Sequence, residues 1–120
     1  MKVAVVGSRN ITNEQLIFNC LARYYITCIV SGGAIGVDSI AEKYAILNNI
    51  DTEIYLPDWK KYGKKAGFVR NKDIIKNSQM TVAFWDGSSK GTLDSINYSK
   101  KLKHPTIVWI IKDGIYYISD

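Results

Sequence analysis

Short apolar runs alternate with amphipathic stretches along the whole chain. Residues 2–6 are nearly all small or β-branched and apolar, the pattern of a strand buried on both faces. Residues 27–30, 51–56, 80–85 and 106–111 repeat that pattern. Between them the spacing becomes helical. Leu16, Ile17, Cys20, Leu21 and Tyr24 share one face, behind a capping box formed by Thr12 and Gln15. Val37, Ile40, Ala41, Tyr44 and Leu47 make the inner stripe of a second helix over about residues 36–48. A third helix spans residues 67–77 with Ile74 and Ile75 inward, and a fourth runs to about Leu102, where His104 and Pro105 break it. Lys112, Asp113 and Gly114 form a hairpin turn into residues 115–118, an antiparallel edge strand. Strands alternating with helices predict an α/β fold with a mostly parallel sheet.

At 120 residues the chain is long enough for one domain, residues 1–120, with a single core. No apolar run is long enough to span a bilayer, and the first residues lead directly into strand pattern, so a cytoplasmic location is expected. Cys20 and Cys28 lack metal-ligand spacing and are expected to pack in the core; no metal site is expected. The net charge of +5 is concentrated: Lys60, Lys61, Lys64, Lys65, Arg70, Lys72 and Lys76 stand against Asp73 alone, and the remaining chain is near neutral. Such a cluster suits a phosphate-bearing partner or forms a solvated lysine-rich face. Trp59 and Tyr62 lie beside it, in what reads as a long connection from residue 59 to 67. They serve either to stack a base or to cover the sheet edge.

The chemistry concentrates in three turns, each placed after a strand. Gly7, Ser8 and Arg9 follow the first, and Asp86, Gly87 and Ser88 follow the fourth. Ser31, Gly32, Gly33, Ala34, Gly36 and Asp38 follow the second and open a helix. In parallel α/β sheets these turns share one edge, where ligands bind. Glycines admit close approach of a ligand, and a helix start offers unpaired N–H groups to an anion. The turn of residues 31–36 is therefore the expected phosphate cradle. Arg9 pairs with phosphate or forms a surface ion pair, and Arg70 binds phosphate or makes a salt bridge. Asp38 accepts from a ribose or favours its helix start. Trp85, Asp86, Gly87, Ser88, Gly91 and Thr92 contact sugar or phosphate, or serve as turn and cap.

These residues resemble the SLOG superfamily. The resemblance rests on Gly7-Ser8-Arg9, Ser31-Gly32-Gly33-Ala34-x-Gly36-Val37-Asp38, Gly67-x-x-Arg70-Asn71 and Phe84-Trp85-Asp86-Gly87-x-Ser89-x-Gly91-Thr92. The group includes the DNA-processing protein DprA and the LOG cytokinin-activating enzymes, and the motifs are most similar to its small bacterial and phage branch, the YspA or YpsA-related proteins. The resemblance implies a Rossmann-like three-layer α/β/α fold and binding of a nucleotide or ADP-ribose-like ligand. It also implies a homo-oligomer, commonly a homodimer. Three functions follow from it: a nucleotide sensor, carrier or sequestering protein; a LOG-type phosphoribohydrolase or N-glycosidase; and a DprA-like binder of single-stranded nucleic acid. LOG enzymes place a glutamate three residues after their Gly-Thr. Ser95 occupies that position here, with Asp94 beside it. Arg70 and Asp94 are the candidate catalytic residues.

Overall fold

Every second residue of a strand faces the same side of its sheet, and both sides of this sheet are covered. In the computed structural model, which describes residues 1–112 and 115–119, strand β1 (Lys2–Gly7) supplies Val3 and Val5 to one core and Ala4 and Val6 to the other. Helices α1 (Glu14–Leu21) and α2 (Val37–Leu47) cover the first side, Ile17, Leu21, Val37 and Ala41 packing on Val82 and Phe84. Helices α4 (Ala66–Lys76) and α5 (Lys90–Lys101) cover the second through Ile74, Ile75 and Ile96. This is the three-layer α/β/α arrangement.

Five strands run parallel in the order β3 (Asp51–Ile54), β2 (Cys28–Ser31), β1, β4 (Met80–Trp85), β5 (Thr106–Lys112). Strand β6 (Ile115–Ser119) runs antiparallel beside β5, with Trp109 opposite Ile118. The expected hairpin turn falls on Asp113 and Gly114, which lie outside the described residues. The chain leaves β1 toward β2 and returns later to place β4 on its other side, so the carboxyl ends of β1 and β4 flank the topological switch point.

Three local expectations are corrected. The cap of α1 is Asn13, not Thr12: its Oδ1 accepts from Leu16 N–H at 3.2 Å, the spacing of an N-cap to the third helical residue. Leu47 is 62% exposed and Ala45 is buried in its place, because ten residues beyond Val37 the helix has turned away from the sheet. The stretch after Pro57 is not a loop. Asp58 caps a short helix, α3 (Trp59–Tyr62), through Lys61 N–H at 3.1 Å, and a 3-10 turn (Gly63–Lys65) feeds directly into α4. Of the two cysteines, Cys20 is buried in the core and Cys28 only half-buried.

No helix among the described residues is long and apolar enough to cross a membrane. Among the same residues no group of three or more His, Cys, Asp or Glu side chains could hold a metal ion.

Candidate functional site

The end of β1 and the end of β4 are held together by a serine. Ser8 N–H donates to the Phe84 carbonyl at 3.1 Å, and its buried hydroxyl accepts from Asp86 N–H at 3.2 Å. Asp86 closes the next turn itself, Oδ1 accepting from the N–H groups of Ser88 and Ser89 at 2.8 Å each. Partial burial pushes its carboxyl up, but those two N–H groups, with Asn10 and Ser8, outweigh it and hold Asp86 below the usual range. It is a charged turn-former, unsuited to donating a proton. Ser89 then caps α5, accepting from Thr92 N–H at 3.3 Å, while its carbonyl receives the Trp85 indole N–H at 3.0 Å.

The turn after β2 is built differently. Asp38, in the first turn of α2, folds back so that Oδ2 accepts from Ala34 N–H at 3.2 Å. This carboxyl is 8% exposed, and burial pushes it up to about 6 against the pull of Ala34 N–H and the Arg70 charge. The anion that the turn attracts is thus supplied by the chain. Arg70 comes from α4 to the same place. Its Nη1 donates to the carbonyls of Gly32 at 2.6 Å and Tyr55 at 3.2 Å, and Nε donates to Asn71 Oδ1 at 3.0 Å. Asn71 Nδ2 in turn donates to the Gly91 carbonyl at 3.4 Å. Gly32, Arg70, Asn71 and Gly91 so form a brace from the turn after β2 to the start of α5. A Cβ on Gly32 would lie against Arg70 Nη1, 2.7 Å from Cζ and 3.0 Å from Asp38 Oδ2. The glycine is required for the arginine to approach.

Between these turns, at the switch point, opens a cleft of about 480 Å³. Of the residues singled out from the sequence, Gly7, Ser8, Arg9, Ala34, Asp38, Arg70, Asn71, Asp86, Gly91 and Thr92 line it. Ser31, Gly32, Gly33, Gly36, Trp85, Gly87 and Ser88 do not. Ser31 is fully buried and Gly32 carries the arginine. Gly36 packs on the Arg9 backbone, so close that a Cβ on it would lie 2.5 Å from the Arg9 carbonyl oxygen. Gly33 is exposed with φ +70°, and a side chain there would meet Leu56 Cδ2 at 2.8 Å. Gly87, at φ +86°, and the exposed Ser88 shape the turn that Asp86 closes. Asp94 also stays outside the lining, about 100° round the helix from Ser95, which is inside it.

Sequence reasoning does not single out Asn10 and Phe68, and it names Lys64 only within the basic cluster and Ser95 only at the LOG glutamate position; all four line the cleft. Lys64, Gly67, Phe68, Asn71 and Ile74 are three or four residues apart and face the cleft together. That spacing is a usable signal, obscured when residues 59–67 are read as a loop. Trp59 and Phe68 stand at the rim, 55% and 44% exposed. Of the basic cluster only Lys64 and Arg70 reach the lining, and the other lysines lie on an exposed face.

Comparison with known proteins agrees with this architecture. The family model described as YspA, cpYpsA-related SLOG family matches residues 1–62. The chain is 31% identical over 117 residues to the Gene 61 protein of Mycobacterium phage D29, covering 88% of this chain and 94% of that protein. Among solved structures it is similar to DNA processing protein A from Helicobacter pylori, described for its single-stranded DNA binding mode. That match has a TM-score of 0.70 at 23% identity and covers 90% of this chain and 64% of the other. It is also similar to DNA processing protein A (DprA) from Streptococcus pneumoniae, with a TM-score of 0.65 at 19% identity, covering 89% and 49%. This chain therefore spans less than two thirds of either DNA processing protein, and the likeness to them is one of fold. With the match to residues 1–62 and the full-length phage relative in hand, the chain belongs to the YspA, cpYpsA-related SLOG family.

Proposed function

We propose that the cleft binds a nucleotide or nucleotide derivative, with its phosphate at the start of α5 and its base toward Trp59 and Phe68. The observation that carries this reading is the composition of the cleft. Arg9 and Lys64 supply cations, and Gly91 and Thr92 bring a helix start to its wall. Ser95 lines it and is 2% exposed. A helix start and a hydroxyl on the cleft wall suit a phosphate, and exposed aromatic rings suit a base. A volume of about 480 Å³ is that of a site for one small ligand.

This reading puts the phosphate across the cleft from the expected turn of residues 31–36, where the Asp38 carboxylate sits on Ala34 N–H and would repel it; at the start of α5 the Thr92 N–H is capped by the neutral Ser89 hydroxyl. Calorimetric titration with nucleoside mono- and diphosphates and ADP-ribose tests the reading. Binding that weakens about ten- to a hundredfold in Arg9→Ala or Lys64→Ala supports it. No heat with any of these at millimolar concentration refutes it.

The hydrolase reading needs a proton donor near the sugar, and Ser95 stands where LOG enzymes have glutamate. Release of free base from the same nucleotides decides for it. Retention of a single-stranded oligonucleotide that falls steeply with salt decides for the nucleic-acid reading. Sedimentation at micromolar concentration tests the homodimer.

A further inference from the structure

The floor of the cleft holds a carboxylate that its surroundings do not neutralise. Asp38 is 8% exposed and lines the cleft. Oδ2 accepts from Ala34 N–H at 3.2 Å, the Gly32 N–H also favours its charge, and it forms no ion pair among the described residues. Arg70 is near enough to favour the charge as well, yet its own donors go to Gly32, Tyr55 and Asn71. A carboxylate has about four acceptor positions. Asp38 lines the cleft, and a ligand that covers it shuts its remaining acceptor positions off from water; an acceptor so enclosed without a donor is costly. The ligand group seated against Asp38 is therefore a hydrogen-bond donor that carries no negative charge.

Position in the fold narrows the donor. Asp38 belongs to the turn after β2, whereas Gly91 and Thr92 belong to the helix after β4. Strand β1 lies between, so the two ends are separated by about 10 Å of sheet width. The base, at the aromatic rim, is the most exposed part of the ligand. What lies between rim and phosphate, against the floor, is the sugar. We infer that Asp38 accepts hydrogen bonds from the ribose hydroxyls, so that the protein selects ribonucleotides over ligands lacking them. The inference rests on the nucleotide reading above and adds the sugar to it.

The test is calorimetry with the four ribonucleoside 5′-monophosphates and their 2′,3′-dideoxy counterparts, on the full chain and on Asp38→Asn. Asparagine keeps an oxygen for Ala34 N–H and turns an amide, in place of an acceptor, to the sugar. The parent should bind the tightest ribonucleotide about ten- to a hundredfold better than its dideoxy form, as expected for hydrogen bonds to a charged acceptor. In Asp38→Asn that ratio should fall to within about threefold, with dideoxy affinity retained; a role confined to holding the turn would weaken both ligands equally. Singly deoxygenated nucleotides then assign the hydroxyl. A parent that binds both forms alike, or a variant that keeps the parent's ratio, overturns the inference and leaves nucleotide binding standing. The parent comparison decides even without the variant. If no nucleotide of either kind binds, the nucleotide reading falls and the inference with it.

Discussion

Replacing Asp38 by asparagine should make this protein more stable at neutral and alkaline pH, and only there. Burial raises the Asp38 carboxyl from an ordinary 3.8 to about 6. The folded chain therefore holds a proton between those values that the unfolded chain has released, and stability falls as pH rises through that interval. The charged carboxylate costs the fold nothing below about pH 4 and its full penalty above about pH 7. A rise from 3.8 to about 6 corresponds to ~3 kcal/mol. Asparagine resembles the protonated acid in shape and charge and preserves the acceptor for Ala34 N–H, so it escapes the penalty. Urea titrations of both proteins at half-unit steps from pH 4 to 8 should give coincident midpoints at pH 4. By pH 8 they should separate by about 1–3 M in favour of the variant, taking a slope of about 1–3 kcal/mol per molar. A midpoint difference that is the same at every pH, or a variant less stable than the parent at pH 8, would refute the reasoning. Together with the ligand experiment this predicts a residue that weakens the fold and serves the site, a recurrent trade-off.

Four other outcomes follow from the geometry. Arg70→Ala should lose about 2–4 kcal/mol of stability, because three hydrogen bonds from a partly buried cation disappear and two carbonyls lose a donor; a urea midpoint equal to the parent's would show that the brace contributes nothing. Gly32→Ala should destabilise by about 1–3 kcal/mol through collision with that guanidinium. Gly67→Ala, whose new Cβ has no atom within 4 Å, should be neutral or stabilising by about 0.5–1 kcal/mol in its helix; the opposite ranking in thermal melts would contradict the packing described. Asp94→Ala should leave nucleotide affinity within about twofold of the parent, since its half-buried side chain lies outside the lining and touches no part of the proposed ligand site; a larger loss by calorimetry would bring Asp94 back into the site.

The layering of the fold was legible because it depends on period alone. Continuous apolar runs such as Val3 to Val6 mean two covered faces, and both faces are covered. The edge on which the cleft opens was legible for the same reason. What could not be read was the direction of individual bonds. A glycine at position 32 reports that something comes close to the backbone, not what. Here it is the guanidinium of Arg70 instead of a phosphate. Likewise an aspartate at a helix start reports attraction between a carboxylate and N–H groups, and the same chemistry describes a ligand's anion in that place. Only the fold decides whether Asp38 leaves the turn empty or fills it. Lys64 is hidden by a smaller ambiguity: Pro57 reads as an end, where Asp58 begins a helix that leads through the turn of Gly63–Lys65 into α4.

The fit between Gly32 and Arg70 also bears on how such chains diverge. A methyl group at position 32 and an arginine at position 70 claim the same space, 38 residues apart in sequence. Neither can change freely while the other stays. A lineage that replaces the glycine displaces the guanidinium, and one that loses the arginine leaves Asp38 Oδ2, 3.0 Å away, as the remaining close neighbour of a new Cβ. Positions 32 and 70 should therefore co-vary among descendants of this architecture, with Asn71 free to follow. A pair that drifts independently would belong to proteins that hold the two sides of the cleft by some other means.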